Sequence, residues 1–181
     1  MALLVIPDPA LVLLVGAAGS GKSTLAARLF AADEIVSSDA LRAVVSGDEA
    51  DQRASAVAFR ILHRTLDRRL PNGLLTVVDA TNVVAAHRRP LIRRAIAAGF
   101  PLVAIVLDVP PDVVRAQNAG RARKVDGEVV DRHLDALRST VGGDHLMLEG
   151  FDQVMVLRSS ADVAALAIER RRSRVVPGPP G

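Results

Sequence analysis

The stretch LVLLVGAAGSGKST, residues 11–24, decides the fold of this chain. It opens on a short apolar run without alternation, which is typical of a strand buried on both faces. The next residues fit the pattern G-x-x-x-x-G-K-[ST], whose glycines let backbone N–H groups surround a phosphate. The amphipathic segment Lys22 to Phe30 then predicts a helix whose N-terminus adds partial positive charge to the loop. A strand, a glycine-rich loop and a helix in this order predict a nucleotide-binding site.

Different residues of this loop are expected to bind different parts of the nucleotide. We predict that Lys22 reaches the β- and γ-phosphates of ATP and that the Ser23 hydroxyl holds Mg²⁺. The other predicted ATP contacts in this segment come from the loop and the first turn of the helix, namely Gly16, Ala17, Ala18, Gly19, Ser20, Gly21 and Thr24.

Strand-like and helix-like segments alternate along the rest of the chain. Apolar runs of strand length lie at 34–37, 74–78, 102–107 and 153–157, and helical patterns lie at 54–70, 84–98, 112–140 with a break near Gly127, and 160–172. Such alternation predicts an α/β fold of the P-loop kinase type, with three layers, a five-stranded parallel sheet and a helical lid. We expect one kinase domain over residues 1–172 with its lid at about 110–140, followed by a flexible Pro/Gly tail or linker over 173–181.

Composition excludes several classes of protein. The chain has 181 residues, half of them hydrophobic, so global disorder is excluded. It has no cysteine, which excludes disulfides and thiolate metal sites. Pro7-Asp8-Pro9 divides the apolar N-terminal region into pieces too short to span a bilayer, so we expect no membrane association and a cytoplasmic protein. Lys22 and Lys124 are the only lysines, and an arginine excess suits phosphate contacts but also follows from codon preference.

Three classes of P-loop protein compete for this sequence. A GTPase switch needs a guanine-reading Asn-Lys-x-Asp motif, which is absent. A helicase is suggested by the string Asp48-Glu49-Ala50-Asp51, but this string follows no buried strand, and we interpret it as a solvated turn before a helix. A kinase that acts on a separate acceptor fits the remaining features.

Asp39 and Arg42 follow the second predicted strand. An aspartate at the carboxyl edge of a parallel strand lies where α/β folds bind ligands, and it could accept the proton of an acceptor hydroxyl. Arg42 lies about one helical turn on and could hold a phosphate. From spacing alone, Asp39 could equally cap the helix that begins at Ala40.

Three motifs together carry a resemblance to a known family. They are the phosphate loop, Val36-Ser37-Ser38-Asp39-x-x-Arg42, and Thr76-Val77-Val78-Asp79-Ala80-Thr81-Asn82. In these motifs the chain resembles the polynucleotide 5′-kinase domain of bacterial polynucleotide kinase-phosphatases, the end-healing enzymes of RNA repair. The similarity runs from about Leu11 to about Glu169, although the last motif also occurs in toxin kinases and other related P-loop phosphotransferases.

The resemblance implies an ATP- and Mg²⁺-dependent kinase for the 5′-hydroxyl ends of RNA or DNA. It implies that Lys22 takes part in catalysis, that Asp39 is the general base and that Arg42 binds the acceptor phosphate and orients the γ-phosphate. Asp79 would order metal-bound water from the second shell, and Thr81 would contact the acceptor, unless Thr81 and Asn82 cap the next helix. It also implies a phosphatase or ligase domain or partner in repair.

The predicted lid departs from the family pattern. The family has an arginine before the asparagine of this helix, where this chain has Gln117, and a glutamine brings no charge to the transition state. We therefore expect Arg121 to be the clamp that binds the phosphates of ATP and takes part in catalysis. Arg123 is predicted as a further ATP contact. By analogy, Arg158 and Ser160 are predicted to border the nucleotide, although a helix cap at Ser159 or Ser160 explains the same serines.

Nucleic-acid binding is a weaker pattern in this sequence. Aromatic residues make up 2% of the chain, so a stacking platform of the usual kind is not expected. The basic run His87-Arg88-Arg89 could line an acceptor channel through Arg88, or it could be a solvated face. Two alternatives stay open, namely a P-loop kinase of a small molecule such as a nucleoside, sugar or antibiotic, and a nucleotide-binding regulatory module.

Overall fold

The structure is a computed structural model of the chain, and it describes residues 2–46, 55–121 and 124–173. The string Asp48-Glu49-Ala50-Asp51, Arg123 and nearly all of the predicted tail lie outside these residues. Within the described ranges no helix has the length and apolar character needed to cross a membrane.

The predicted five-stranded parallel sheet is confirmed. Its strands are β2 (Leu11–Gly16), β3 (Ile35–Ser37), β4 (Thr76–Asp79), β5 (Leu102–Leu107) and β6 (Gln153–Leu157), in the spatial order β3-β4-β2-β5-β6 with every pair parallel. β2 is central, so its carboxyl end and the phosphate loop lie between the ends of β4 and β5.

Helices cover both faces of this sheet. They are α1 (Lys22–Leu29), α2 (Ser38–Ser46), α3 (Ser55–Arg69), α4 (Ala85–Ala97), α5 (Pro111–Ala119), α6 (Gly127–Val141), α7 (His145–Glu149) and α8 (Ser160–Ala165). The helices predicted at 22–30, 54–70 and 84–98 are present to within a residue or so, and the break in the segment 112–140 falls between Ala119 and Gly127.

The apolar runs of the strands supply two separate cores. Alternate residues of β2 point to opposite faces, so that Leu11 and Leu13 join one cluster with α3 and α4, while Val12 and Leu14 join another with α1. Both faces of the strand are therefore buried, which explains why its sequence does not alternate.

The segment predicted as a closing helix at 160–172 is only partly helical. α8 ends at Ala165, and β7 (Ala167–Arg172) follows and pairs in parallel with β1 (Leu3–Asp8) as a separate two-stranded sheet. Leu4 and Ile6 of β1 pack with Leu166 into the α1-side cluster. The prediction was wrong because the pairing partner lies at the other end of the chain, beyond the reach of local periodicity.

Candidate active site

The phosphate loop directs its lysine onto its own backbone. The Lys22 ammonium donates to the carbonyl oxygens of Gly16 at 2.9 Å and Ala17 at 2.7 Å. Burial lowers the pKa of Lys22 to about 8, and the nearby Arg121 also lowers it, while the carboxylates of Asp79 and Asp39 oppose the shift. The charges of three predicted site residues therefore converge on this ammonium group.

Two glycines in the loop are required by close contacts. A Cβ on Gly16 would come within 2.7 Å of the buried Ser20 hydroxyl, which has no hydrogen-bond partner in the described part of the chain. Gly19 has a φ of 87°, and a Cβ there would meet Asn118 Cβ and the Val114 carbonyl, both at 3.0 Å. The loop is thus fixed against α5 as well as against β2.

Ser23 and Asp79 form the candidate magnesium position. The Ser23 hydroxyl donates to Asp79 Oδ2 at 2.7 Å, and Asp79 is buried at the end of β4. Hydroxyl and carboxylate oxygens suit Mg²⁺, which enzymes often hold through one or two protein oxygens and the substrate phosphates. No group of three or more His, Cys, Asp or Glu side chains suited to a metal occurs among the described residues. The residues present therefore fit a metal that arrives with ATP.

The segment after β4 is folded onto the phosphate loop. The Gly16 amide donates to the Thr81 carbonyl at 2.9 Å, and Asn82 Nδ2 donates to the Leu14 carbonyl at 2.8 Å. Asn82 has a φ of 50°, in the left-handed region that asparagine tolerates. The N-cap of α4 is Val84, without a side-chain bond, so the capping alternative for Asn82 is wrong.

Asp39 and Arg42 lie together in the first turns of α2. Arg42 Nη2 donates to Asp39 Oδ1, and the hydroxyl of Ser38 also lies 3.5 Å from this oxygen. The Ala40 amide bonds to the Ser37 hydroxyl, so Ser37 takes the capping role that spacing alone left open for Asp39. The Asp39 side chain is 39% exposed, which leaves it accessible to an acceptor.

One cleft of about 930 Å³ gathers most of the predicted residues. Asp39, Arg42, Asp79, Thr81, Gln117, Arg121 and Ser160 line it together with residues 18–24 of the loop and helix. The same cleft holds His87, which belongs to the basic run suggested for an acceptor channel, and Phe59 and His133, which the sequence patterns did not single out for it.

The lid asparagine has a structural role. Asn118 Nδ2 donates to the Val125 carbonyl at 2.8 Å, and its Oδ1 accepts from the Val125 amide at 3.0 Å. This pair of bonds ties the end of α5 to the segment before α6. Arg115 pairs with Asp131 of α6 on the exposed surface, and neither residue lines the cleft.

His133 of α6 lies against the phosphate loop. Its Nδ1 accepts from the Ala18 amide at 3.4 Å. Burial, followed by the charges of Lys22 and Arg132, lowers the pKa of His133, so the neutral ring that accepts this bond is favoured.

The expected acceptor contact through Arg88 is not supported by its position. The Arg88 side chain is 1% exposed, pairs with Glu149 and donates to the Asn82 carbonyl at 2.6 Å, with the Thr140 hydroxyl nearby. It does not line the cleft. Since its guanidinium is occupied inside the protein, Arg88 supports the loop after β4 instead of meeting an acceptor.

The two residues predicted to border the nucleotide after β6 differ in position. Ser160 lines the cleft, whereas Arg158 does not. The Arg158 side chain is 65% exposed, and its Nε lies 4.0 Å from Asp108 Oδ2. The Ser159 hydroxyl accepts from the Asp162 amide at 3.0 Å and so caps α8.

Some of the missed cleft residues had a signal in the sequence. Phe59 is one of four phenylalanines in the whole chain and stands one helical turn before His63, within a segment whose helix was predicted. His87 opens the basic run that drew attention to Arg88 instead. His133 stands beyond the predicted arginines of the lid, and no motif marks it.

Comparison with known families agrees with this geometry. A family model described as "AAA domain" matches residues 11–142. The chain belongs to this family. A curated relative, the ribose 1,5-bisphosphate phosphokinase PhnN of Rhodopseudomonas palustris, is 33% identical over 156 residues, which cover 73% of this chain and 80% of the relative. The protein is a P-loop kinase.

Solved structures share the fold at lower identity. The kinase superposes with a TM-score of 0.64 on a chain of the Pnkp1/Rnl/Hen1 RNA repair complex, at 20% identity over 75% of this chain and 46% of that one. It superposes with a TM-score of 0.62 on Kti12 of Chaetomium thermophilum in complex with ADP-AlF3, at 19% identity over 85% of this chain and 93% of that one.

Proposed function

We propose that this kinase transfers the γ-phosphate of ATP to the 5′-hydroxyl end of RNA or DNA, in nucleic-acid repair. The observation that carries the proposal is a single cleft in which the Asp39–Arg42 pair faces the phosphate loop with Lys22 and the Ser23–Asp79 pair. In this proposal Asp39 is the proton acceptor and Arg42 binds the acceptor phosphate, and both share one cavity with the proposed nucleotide site.

The chemistry follows from these positions. The acceptor oxygen forms a bond to the γ-phosphorus while the bond between that phosphorus and the leaving oxygen of ADP breaks, and Asp39 takes the proton of the hydroxyl. Lys22 gives up its bonds to Gly16 and Ala17 for the phosphate oxygens, and Arg121 adds charge from the lid. Ser23, with Asp79 beside it, would hold Mg²⁺, which would neutralise charge on the β- and γ-phosphates.

The acceptor side of the cleft favours a nucleotide end. The rings of Phe59 and His87 line the same cleft as Asp39 and Arg42, and they lie with centroids 6.3 Å apart and tilted by 37°. A nucleobase can pack against such rings, and this packing is tolerant of base identity. Arg42 supplies the phosphate contact that a polynucleotide requires.

A second candidate is favoured by the relative that acts on ribose 1,5-bisphosphate. Arg42 would then bind a phosphate of a small sugar phosphate, and Asp39 would accept the proton of its reacting group. This candidate makes no use of the ring pair, since a sugar phosphate has no base to stack.

The test is a panel of acceptors offered with radiolabelled ATP and Mg²⁺. The panel contains 5′-hydroxyl RNA and DNA, the same strands with a 5′-phosphate, ribose phosphates and free nucleosides. We expect label on the 5′-hydroxyl strands and none on the blocked strands. Label only on a sugar phosphate would replace the proposal with the second candidate, and ATP binding without transfer to any acceptor would favour a regulatory module.

The ring pair provides a sharper comparison within the same assay. A 5′-hydroxyl strand whose terminal nucleotide is abasic lacks the group that the rings would hold. We expect the wild-type protein to show a higher KM for the abasic strand, and Phe59→Leu to remove most of that difference. An equal KM for both strands in the wild-type protein would show that the rings of Phe59 and His87 do not contact the acceptor.

The repair context is part of the proposal. The neighbour in the RNA repair complex is covered over less than half of its length, so any phosphatase or ligase activity would belong to a partner or another domain. Contacts of Arg123 and Arg158 with ATP remain predictions from the sequence.

A further inference from the structure

His133 occupies a position that an anionic ligand would otherwise fill. Its ring, half-buried on α6, accepts a hydrogen bond from the Ala18 amide, which belongs to the loop that the motif dedicates to phosphates. The bond is long, at 3.4 Å, and so is readily exchanged for a stronger one.

The location of the ring indicates which phosphates it would meet. The Lys22 ammonium donates to the Ala17 carbonyl and His133 accepts from the Ala18 amide, so the two side chains bind the same peptide unit, and both line the cleft. In this motif the lysine reaches the β- and γ-phosphates. A ring beside both Ala18 and Lys22 therefore stands at the terminal-phosphate end of the nucleotide site.

The lid lacks a cationic side chain at position 117, where the family has an arginine. Gln117 and Arg121 both line the cleft from the lid, but only Arg121 brings a charge. A ring N–H of histidine can donate to a phosphate oxygen, and beside a polyphosphate the protonated ring is stabilised by the opposite charge.

We infer that His133 contacts the γ-phosphate of bound ATP, exchanging the bond from Ala18 for one in which a ring N–H donates to a phosphate oxygen. The inference rests on the proposed function in that ATP is the donor, and it holds whichever acceptor is phosphorylated. His133 thereby supplies, from α6, a donor in addition to Arg121, in a lid that carries the neutral Gln117 where the family has an arginine.

Equilibrium binding of ATP and ADP tests this contact. The full chain is titrated with each nucleotide in the presence of Mg²⁺, for the wild-type protein and for His133→Leu, which keeps the bulk but has no polar atom. We expect His133→Leu to weaken ATP binding about tenfold and ADP binding much less, since only ATP carries the γ-phosphate. Equal weakening of both nucleotides, or no weakening, would overturn the inference.

Two variants separate this role from a structural one. His145→Asn changes an exposed histidine of α7 outside the cleft and is expected to leave both affinities unchanged. His133→Asn, which keeps a polar donor, is expected to retain more of the preference for ATP than His133→Leu. If the two His133 variants lose this preference equally, a hydrogen bond from residue 133 is not its source.

A substitution at position 117 of the lid provides a rescue experiment for the lost ATP affinity. Gln117→Arg placed in the His133→Leu protein is expected to recover part of the lost ATP affinity, and a double variant no better than His133→Leu would contradict a shared target. The failure of the proposed function is seen separately: a wild-type protein that binds no ATP refutes the donor assignment, whereas ATP binding without transfer to a 5′-hydroxyl refutes only the acceptor.

Discussion

Asp39 is the residue whose replacement most directly tests the transfer chemistry. Asp39→Asn keeps the size of the side chain but removes the proton acceptor, so we expect the turnover rate to fall by about 10²–10⁴-fold. ATP affinity should change little, because the nucleotide is held by the loop. Both are measured with a 5′-hydroxyl strand and by nucleotide titration.

A matched control lies on the surface of α6. Asp135 is exposed, pairs with Arg138 and does not line the cleft, so Asp135→Asn should transfer phosphate at the wild-type rate. Full transfer by Asp39→Asn would show that another group accepts the proton.

Lys22 makes the stability of the nucleotide-free protein depend on pH. Its pKa falls from 10.5 in the unfolded chain to about 8 in the folded protein, chiefly through burial. Between these values the unfolded state binds more protons, so the free energy of unfolding rises with pH across this window. Lys22→Met removes this contribution. We expect chemical denaturation to show the wild-type protein gaining stability relative to Lys22→Met between about pH 7 and about pH 10.

Parallel pH profiles of the two proteins would show that Lys22 is solvated in the absence of nucleotide, whereas the opposite trend would show that the charges of Asp79 and Asp39 outweigh burial. Saturating ATP provides an internal check, because the bound phosphates favour the charged ammonium and should reduce the difference between the profiles.

The positions of residues that belong to a local motif could be predicted from the sequence, whereas their roles in the reaction stay predictions. Lys22, Ser23, Asp39 and Asp79 could be placed because each follows a recognisable strand or loop. Arg88 could not be distinguished from its exposed neighbour Arg89, because its partner Glu149 is 61 positions away and no local pattern connects them.

At the scale of elements, Asn118 controls the connection between the two lid helices. Asn118→Ala removes both bonds to Val125 and leaves the Val125 backbone groups without these partners. We expect a loss of about 1–3 kcal/mol in the free energy of unfolding. Limited proteolysis should cleave faster between α5 and α6, and the cut site is read by mass spectrometry.

Gln117→Ala is the matched control. Gln117 stands on the same helix but is exposed, so its replacement should leave the cleavage rate unchanged. Protection of the Asn118→Ala lid equal to that of the wild-type protein would mean that the two bonds to Val125 do not hold the connection.

The elements that sequence predicted best are those buried on two faces. β2 and β5 are apolar along their whole length because each faces a core on both sides, and their bounds agree closely with the predicted ones. The prediction failed at β7 because its sequence, AIERRR, is mostly exposed, and its strand character comes from pairing with β1.

Across the whole molecule, the Arg88–Glu149 pair links four separate parts of the chain. Arg88 on α4 reaches Glu149 on α7, Thr140 on α6 and the carbonyl of Asn82. We expect Glu149→Leu alone to cost about 3–5 kcal/mol, because a buried guanidinium is left without its counter-charge. Denaturant unfolding measures this loss.

A double-mutant cycle isolates the pair. Arg88→Met in the Glu149→Leu background removes the uncompensated charge, and the double variant is expected to be more stable than Glu149→Leu alone. If the double variant is folded and its KM for the acceptor is unchanged, Arg88 has no acceptor role. A large rise in KM without loss of stability would restore the original expectation.

The overall architecture could be predicted because alternation of strands and helices leaves few topologies once a phosphate loop is present. The order of strands in the sheet and the second sheet depend on contacts between distant residues, so they required the three-dimensional structure. The same holds for the position of His133 on the loop.

The pairing of β1 with β7 has a consequence for biosynthesis. Leu3 and Ala167 are register partners, so the first strand meets its partner only after more than 160 further residues have been made. During translation the apolar strand LLVI therefore leaves the ribosome long before β7 exists, while the segments of the central sheet can already collapse. The nascent chain passes through a stage with a nearly complete phosphate site and an open apolar strand, which is a binding site for a chaperone and a starting point for aggregation.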